Sequence, residues 1–422
     1  MEKIEECIHE ECEDGYCHKQ MLSNQPCTKR QKTIPELQKL RMGLTQPAEF
    51  IHSEALRRSH SLRLSSSRTI ELSHHSSVNT LDIDPAEHRY LLSGAKNGRI
   101  IIHDLQTSCG KRPYVAKVIQ KIDRENPSAH KYSVERVQWY PHDSGMFVTS
   151  GMDKRVKVWD SNMMTTALDV KMKEKIYNHE MSKLPCVNCL IAVASAEKKV
   201  TILDLKSGSA AHELVGHTSG VLTCCWSPRE GALLATGSRD NRILLWDIRS
   251  AKSCLKSLDQ HNGGGNSISE LSVSAHDGFV NGLHFTRDGF SLVSFGSDNR
   301  IRVWDIINGK NKRINFGTVV NDCQKNIQIT LTNLDSGSDM VFVPSRSQVL
   351  GFKVATGVRV STLAGHYYTV NCCIFEPWFH ELYSGGKDHY ILLWSSDNYL
   401  TDLDDRPGTS YSLDNSGWSD SD

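Results

Sequence analysis

One spacing constrains this chain more than any other feature. A histidine is followed 22 or 23 residues later by an aspartate, and six residues beyond the aspartate stands a tryptophan. His130, Asp153 and Trp159 fit that ruler, as do His217, Asp240 and Trp246, then His276, Asp298 and Trp304, and finally His366, Asp388 and Trp394. A weaker set is His75 and Asn97, with His103 where the tryptophan would stand. Four residues before each Asp or Asn lies a small hydroxyl: Ser93, Thr149, Thr236, Ser294 and Ser384. Two further stretches, 179–204 and 327–352, keep the apolar alternation but lose the inner Asp, and put Leu203 and Phe352 at the tryptophan position. Self-similarity at a fixed period is the mark of a repeat architecture. The tryptophan-equivalent positions give seven units.

Each unit reads as short β-rich runs broken by Gly, Asn and Asp turns, as in "LLATGS", "RDN" and "RILLWDI". Intervals between units are 42–48 residues, apart from two of 56 and 58 that carry inserted loops. This pattern resembles the WD-repeat family over residues 65–396. The resemblance implies an all-β, seven-bladed propeller with four strands per blade around a central channel. Ring closure then needs an outer strand for the last blade, and "SRTIELS" (67–73) is the expected donor.

His217, Thr236 and Asp240 are also the residue types of a nucleophilic triad. A catalytic set occurs once, whereas this one recurs in five units. In the WD-repeat family the His, hydroxyl, Asp and Trp form a hydrogen-bonded structural chain. Each buried polar group is then satisfied by the next. The tetrads are expected to be scaffolding, and the chain is expected not to be an enzyme.

Charge and composition narrow the partners. Lys plus Arg equals Asp plus Glu at 49 each, so no long-range field favours bulk phosphate, and no strong direct nucleic-acid binding is expected. No apolar run reaches transmembrane length, and the acidic start "MEKIEECIHEECEDGYCHKQ" lacks the apolar stretch of a signal peptide. The thirteen cysteines are expected to be reduced thiols. Cys7, Cys12, Cys17, His18 and Cys27 do not have the order of a zinc knuckle, so no metal and no cofactor is expected. Cys186 and Cys189 read as thiols of a core strand. Cys224-Cys225 and Cys372-Cys373 occupy equivalent places in two units, one side chain inward and one outward. The basic run 109–133 reads as a solvated edge, with contact to nucleic acid or an acidic partner as the alternative.

Residues 1–33 are expected to be a disordered extension and 397–422, with seven Asp and one Arg, a disordered acidic tail. Between the extension and the repeats, 34–64 reads as a helix pair. Leu37, Leu40 and Leu44 recur at helical spacing with Gly43 as a stop; Thr45 caps and Pro47 opens a second helix bearing Phe50, Ile51 and Leu56. Such a pair either packs on its own propeller or projects into a partner's groove. Trp246-Asp247-Ile248-Arg249 alone among the copies has Arg two places after the Asp. In a subset of WD-repeat proteins this ending accompanies docking onto the adaptor of cullin–RING ligases.

Four stretches go beyond a generic repeat: "SVNTLDIDPAEHRYLLSGAKNGRI" (77–100), "HKYSVERVQWYPHDSGMFVTSGMDKRVKVWD" (130–160), "LDQHNGGG" (258–265) and the ending "GWSDSD". They resemble the Cockayne syndrome group A family of WD-repeat proteins. That resemblance implies the substrate-recognition subunit of a cullin-4 RING ubiquitin ligase acting in transcription-coupled nucleotide excision repair in the nucleus. The implied partners are the ligase adaptor (the large subunit of the damage-specific DNA-binding protein), the Cockayne syndrome group B translocase, the UV-stimulated scaffold protein and RNA polymerase II. Carried over, Leu37, Leu40, Leu44, Phe50, Ile51 and Leu56 supply apolar adaptor contacts, with Asp247 and Arg249 on the propeller side. The alternative is a WD-repeat scaffold of a nuclear complex with no ligase link.

Overall fold

The computed structural model describes residues 38–106, 113–182, 189–250, 254–263, 273–333 and 339–396. Leu37, the Cys/His-rich start and the acidic tail lie outside the described residues, so the expectations placed on them stay open. The chain groups into a leading unit ending at Ile51 and a main unit from His52 onward.

In the leading unit, helical residues 38–41 end in a Schellman motif. Leu44 N–H donates to Lys39 O (2.8 Å) and Gly43 N–H to Leu40 O (3.0 Å). Gly43 takes φ +70°, which a Cβ would resist. Helix α1 spans Pro47–His60, with Pro47 at its first position, where the missing N–H costs nothing. Thr45 is the expected cap, but its buried Oγ1 has no hydrogen-bond partner among the described residues, and the Gln46 carbonyl accepts the first helical bond, from Phe50 N–H at 3.1 Å. Glu49 in the first turn and Arg57, Arg58 and His60 in the last complement the helix dipole. Arg57 and Arg58 both donate to Glu54, holding its carboxyl below the usual range.

The main unit carries seven four-stranded antiparallel sheets. From the innermost strand outward, blade 1 is Val78–Ile83, Tyr90–Ala95, Ile100–Asp104 and Val118–Ile122. Blade 2 starts at Val134–Trp139, blade 3 at Ile176–Met181, blade 4 at Val221–Trp226, blade 5 at Val280–Phe285, blade 6 at Thr330–Leu331 and blade 7 at Val370–Glu376. Because strands alternate in direction, two rims result. The connections between blades and the turns between second and third strands share one rim, here called upper. The remaining turns share the lower rim.

Seven apolar clusters, one per blade interface, hold the ring together. Between blades 1 and 2 lie Leu92, Ile100, Val134, Val137 and Trp139; between blades 3 and 4 lie Ala194, Val200, Val221 and Trp246. Side chains alternate across each strand, so both faces of a blade are buried against neighbours. This corrects the expected in-and-out arrangement of the cysteine pairs. Cys224 faces blade 3 and Cys225 faces blade 5; Cys373 faces blade 6 and Cys372 faces blade 1, and all four are buried.

Ring closure also differs from expectation. The outer strand of blade 7 is Arg63–Leu64, paired with Ser395 and Trp394, and Ser65 N–H donates to Leu393 O at 2.9 Å. Segment 67–73 lies one step further on, where Arg68–Ile70 runs parallel to Tyr114–Ala116. The reason is distance: α1 ends at His60, and Leu62 plugs the cluster between blades 6 and 7, so the chain joins the sheet at once. Arg68 then rivets the closure, donating to Glu381 of blade 7 (2.6 Å) and to Leu105 O of blade 1 (2.7 Å). Within the basic run 109–133, Val118–Ile122 is the outer strand of blade 1, with exposed side chains alternating along it.

Blade 6 is degenerate for a visible reason. Its inner strand is only Thr330–Leu331, because the preceding segment is diverted across the upper mouth of the channel. There Gln324 O accepts from Arg239 of blade 4 (3.2 Å) and Lys325 pairs with Glu135 of blade 2 (2.7 Å). Gln328 bonds both Leu81 N–H (3.2 Å) and Leu81 O (2.7 Å) of blade 1.

Candidate functional site

Four blades carry the full tetrad. In blade 4, His217 Nδ1 is 2.9 Å from Asp240, His217 Nε2 is 2.8 Å from Thr236 Oγ1, and Trp246 Nε1–H donates to the same hydroxyl at 2.7 Å. Blade 2 repeats it through His130, Asp153, Thr149 and Trp159 (2.8, 2.7 and 2.8 Å). Blade 5 uses His276, Asp298, Ser294 and Trp304, and blade 7 uses His366, Asp388, Ser384 and Trp394. The hydroxyl accepts from the indole and can donate onward to imidazole, so one proton pattern satisfies every member. Burial alone would push the Asp153 and Asp240 carboxyls up, but the hydrogen bonds from the histidine and from backbone N–H groups outweigh it, and both lie below the usual range.

Thr149, Thr236, Ser294 and Ser384 have no exposed surface. A nucleophile must meet its substrate, and these cannot. They hold second strands to third strands.

Blade 1 departs from the expected set. His75 is exposed, and His74 takes its place with Nε2 2.8 Å from Ser93 Oγ. The His74–Ser93 separation of 19 equals that of His130–Thr149 and His217–Thr236, so the ruler admitted either histidine. A one-residue slip turns a side chain to the opposite face. Asn97 spends its Oδ1 on Arg99 N–H (3.1 Å), and His103 bonds Ser73 Oγ (3.2 Å). In blade 3, Cys189 stands just before the strand Leu190–Ser195, with its Sγ 3.1 Å from Tyr140 Oη; Cys186 lies outside the described residues.

The residues expected to meet an adaptor are divided between the leading and the main unit. Leu44 and Ile51 are 70% and 66% exposed, and Leu40, Phe50 and Leu56 are half-buried. The second half of α1 lies at the lower rim of blades 6 and 7: Ala55 and Ser59 are buried, His60 feels Lys353, and His380 feels Arg58. Asp247 and Arg249 occupy the lower rim of blade 4. Arg249 closes a bidentate pair on its own Asp247 (3.0 and 2.9 Å) while remaining 70% exposed. Helix end and Arg249 thus share a rim but not a blade.

The inner strands enclose a cavity of about 400 Å³, lined in part by Asp82, Arg136, Gln138, Asn178, Glu180 and Gln328. Several of these polar groups are structural. Asp82 accepts from Trp139 N–H (2.7 Å), Gln138 from Met181 N–H (2.8 Å) and Glu180 from Trp226 N–H (2.9 Å), each tying one blade to the next. Among the described residues no cluster of His, Cys, Asp and Glu could hold a metal ion, and no helix is long and apolar enough to cross a membrane.

Comparison with known proteins agrees with this geometry. The family model described as WD domain, G-beta repeat matches residues 66–104, 124–160, 208–247, 265–305 and 357–395. The third strands it reaches are those of blades 1, 2, 4, 5 and 7; it passes over those of blades 3 and 6, which lack the tetrad. WD repeat-containing protein ATCSA-1 of Arabidopsis thaliana is 33% identical over 430 residues, covering 85% of this chain and 94% of that protein. Radiation-sensitive protein 28 of Saccharomyces cerevisiae is 28% identical over 209 residues, 45% of this chain and 41% of its own length. A Drosophila pseudoobscura ribosome biogenesis protein WDR12 homolog is 31% identical over 178 residues, 42% of this chain and 38% of its own. With a relative matched nearly end to end and the repeats matched in register, this chain belongs to the WD-repeat family.

Proposed function

We propose that this chain is a nuclear substrate receptor of the Cockayne syndrome group A type. In that role it docks on the cullin-4 adaptor and presents stalled RNA polymerase II and its repair factors to the ligase. The observation that carries the reading is the likeness to ATCSA-1, which spans the propeller rather than a few repeats. The WDR12 homolog covers 42% of the chain, as expected of a shared repeat pattern, and favours no ribosomal role. Leu44 and Ile51 support the docking half of the proposal, because exposed large apolar groups near an anchored helix suit a partner's groove. Arg249 can swing its fork from Asp247 to a partner carbonyl or carboxylate.

The chemistry asked of the chain is proximity. Holding adaptor and substrate together raises the effective concentration of substrate lysines at the distant RING. The Cockayne syndrome group B translocase and the UV-stimulated scaffold protein are the expected companions.

The test is an affinity titration against purified adaptor. Wild type should bind, and deletion of 34–59 should cost at least about 3 kcal/mol, as for a central hot spot. Ile51→Glu should approach the deletion, and Arg249→Ala should lose less. No binding by wild type would remove the ligase assignment and leave the nuclear scaffold.

A further inference from the structure

The upper mouth of the channel carries a concentration of positive charge in a chain whose total charge is balanced. In each blade, the residue directly after the second strand sits where the innermost strand begins. Around the ring these residues are Lys96, Met152, Ala196, Arg239, Ser297, Arg346 and Lys387. The backbone fixes them there. Lys96 N–H donates to Ser77 O (2.9 Å), Lys387 N–H to Thr369 O (2.8 Å), and Arg346 O accepts from Val370 N–H (2.7 Å). Four of the seven are cations and none is acidic, and Lys325 adds a further cation from the crossing segment.

Two of these charges are committed. Arg239 holds the crossing segment through Gln324 O and lies 5.3 Å over the Tyr177 ring. Lys325 pairs with Glu135, a buried carboxyl that burial pushes up and Lys325 and Lys96 pull back. Asp322 stands 4.0 Å from Arg346, with both side chains largely in solvent. Lys96 and Lys387, on the adjacent blades 1 and 7, are exposed and form no ion pair among the described residues.

Exposed tyrosines flank that pair. Tyr367 and Tyr368 (82% and 66% exposed) precede the inner strand of blade 7, next to the Thr369 carbonyl that anchors Lys387. Tyr390 stands in the same turn as Lys387. Tyr132 lies beside the blade 1 turn, its carbonyl 3.2 Å from where a Cβ on Gly98 would stand. Tyrosines give large contact area at small entropic cost, and lysines beside them add sign selectivity.

We infer that the upper mouth, centred on Lys96 and Lys387 of blades 1 and 7, is a docking site for an extended acidic segment of a protein partner. Its carboxylates pair with Lys96, Lys387 and Arg346, and its apolar atoms lie on Tyr367, Tyr368 and Tyr390. The site is on the rim opposite Arg249 and the part of α1 from His52 to His60, so an occupant there leaves the lower rim free. The observations favour a peptide over nucleic acid: the cations form a compact arc rather than a stripe, and the balanced chain supplies no wider field for a phosphate backbone. The inference does not depend on the ligase assignment.

The test uses the full chain and fluorescence anisotropy with three labelled probes: oligoglutamate, oligoglutamine and single-stranded oligothymidylate matched in charge to the first. Oligoglutamate should bind with an affinity that falls as salt rises, and oligoglutamine should not. The double variant Lys96→Glu/Lys387→Glu should weaken binding by roughly tenfold or more, as expected when a complementary patch is reversed. Tyr367→Ser/Tyr368→Ser should weaken it at unchanged salt dependence, and the lower-rim control Lys206→Glu should leave it unchanged. Thermal melts matching wild type show that the variants fold. Equal binding by wild type and the charge-reversed variant, or no binding of oligoglutamate at all, overturns the proposal. Tighter binding of oligothymidylate reassigns the mouth to nucleic acid. A gain of roughly tenfold on deleting 397–422 reassigns it to the chain's own acidic tail.

Discussion

His74 Nε2 stands 2.8 Å from Ser93 Oγ, while its Nδ1 is buried with no hydrogen-bond partner among the described residues. In blades 2, 4, 5 and 7 that second nitrogen faces an aspartate. Blade 1 has only Asn97, turned to Arg99. Burial, reinforced by the neighbouring charge of Arg99, lowers His74 to about 3, and burial lowers His103 to about 4. The first blade is built around two neutral imidazoles.

Acid should therefore loosen blade 1, as it should blade 3, where burial holds the His179 imidazole well below its ordinary value. The folded values of His74 and His103 lie below the free-histidine value, so the unfolded chain binds more protons once pH falls below about 6.5. Stability tied to these groups is full above that pH and is lost progressively, down to about pH 4 for His103 and about pH 3 for His74. By pH 5 the loss is on the order of 2 kcal/mol per histidine. Denaturant midpoints at stepped pH read it directly. His103→Phe, which keeps an aromatic ring without the titrating group, should flatten the slope between pH 6.5 and 5; an unchanged slope would refute the assignment.

The intact tetrads should be far less forgiving than the incomplete one. Asp240→Ala strands His217 Nδ1–H and the Thr218 and Arg242 amides that Asp240 now serves. A cost of about 2–4 kcal/mol follows from leaving the buried imidazole donor unpaired and freeing two turn amides. Asn97→Ala removes only a turn bond to Arg99 and should cost less than about 1 kcal/mol. Equal losses in chemical denaturation would mean that the aspartates are not what holds the blades.

Much of this architecture could be read from spacing, because a repeat states its rule several times. Seven units, the tetrads of blades 2, 4, 5 and 7, and the helix stop at Gly43 all follow from local chemistry. The assignments that went astray depend on long-range geometry. His74 and His75 both satisfy the ruler, and only the face each presents decides between them. The turn pattern points to 67–73 for the closing strand, but the length of α1 and the burial of Leu62 place it at Arg63–Leu64. The basic arc at the upper mouth has no linear signature, since Lys96, Arg346 and Lys387 are scattered over three repeats and meet only when the ring closes.

Ring closure itself is testable at Ser65, whose N–H donates to Leu393 O at the end of the closing strand. Ser65→Pro deletes that donor and should cost about 3 kcal/mol or less. Leu62→Ala empties a position between blades 6 and 7 and should cost about 2–4 kcal/mol. Their shared signature is an opened blade 7 edge, which invites pairing with another chain. Light scattering coupled to size exclusion should show self-association in the proline variant near its melting onset, and monodisperse wild type at the same temperature.

Blade-to-blade distance is set at glycines in the second strands. A Cβ on Gly237 of blade 4 would lie 2.7 Å from Val280 Cγ1 of blade 5 and 2.9 Å from Thr223 Cγ2. Gly385 of blade 7 meets Val78 of blade 1 at 2.7 Å, and Gly94 of blade 1 meets Val134 of blade 2 at 2.9 Å, in the same way. Each neighbour is a β-branched residue held in a strand, so it cannot swing aside as a flexible side chain would. Gly237→Ala should then destabilise by about 1–3 kcal/mol through overpacking, despite alanine's lower cost in chain entropy. The decisive measurement is a double-mutant cycle with Val280→Ala. That substitution alone also destabilises, but combined with Gly237→Ala it supplies the missing space, so the pair should cost at least about 0.5 kcal/mol less than the sum of the singles. Additive losses would mean that the strain falls on Thr223 within blade 4 and that the interface between blades 4 and 5 is not what the glycine protects.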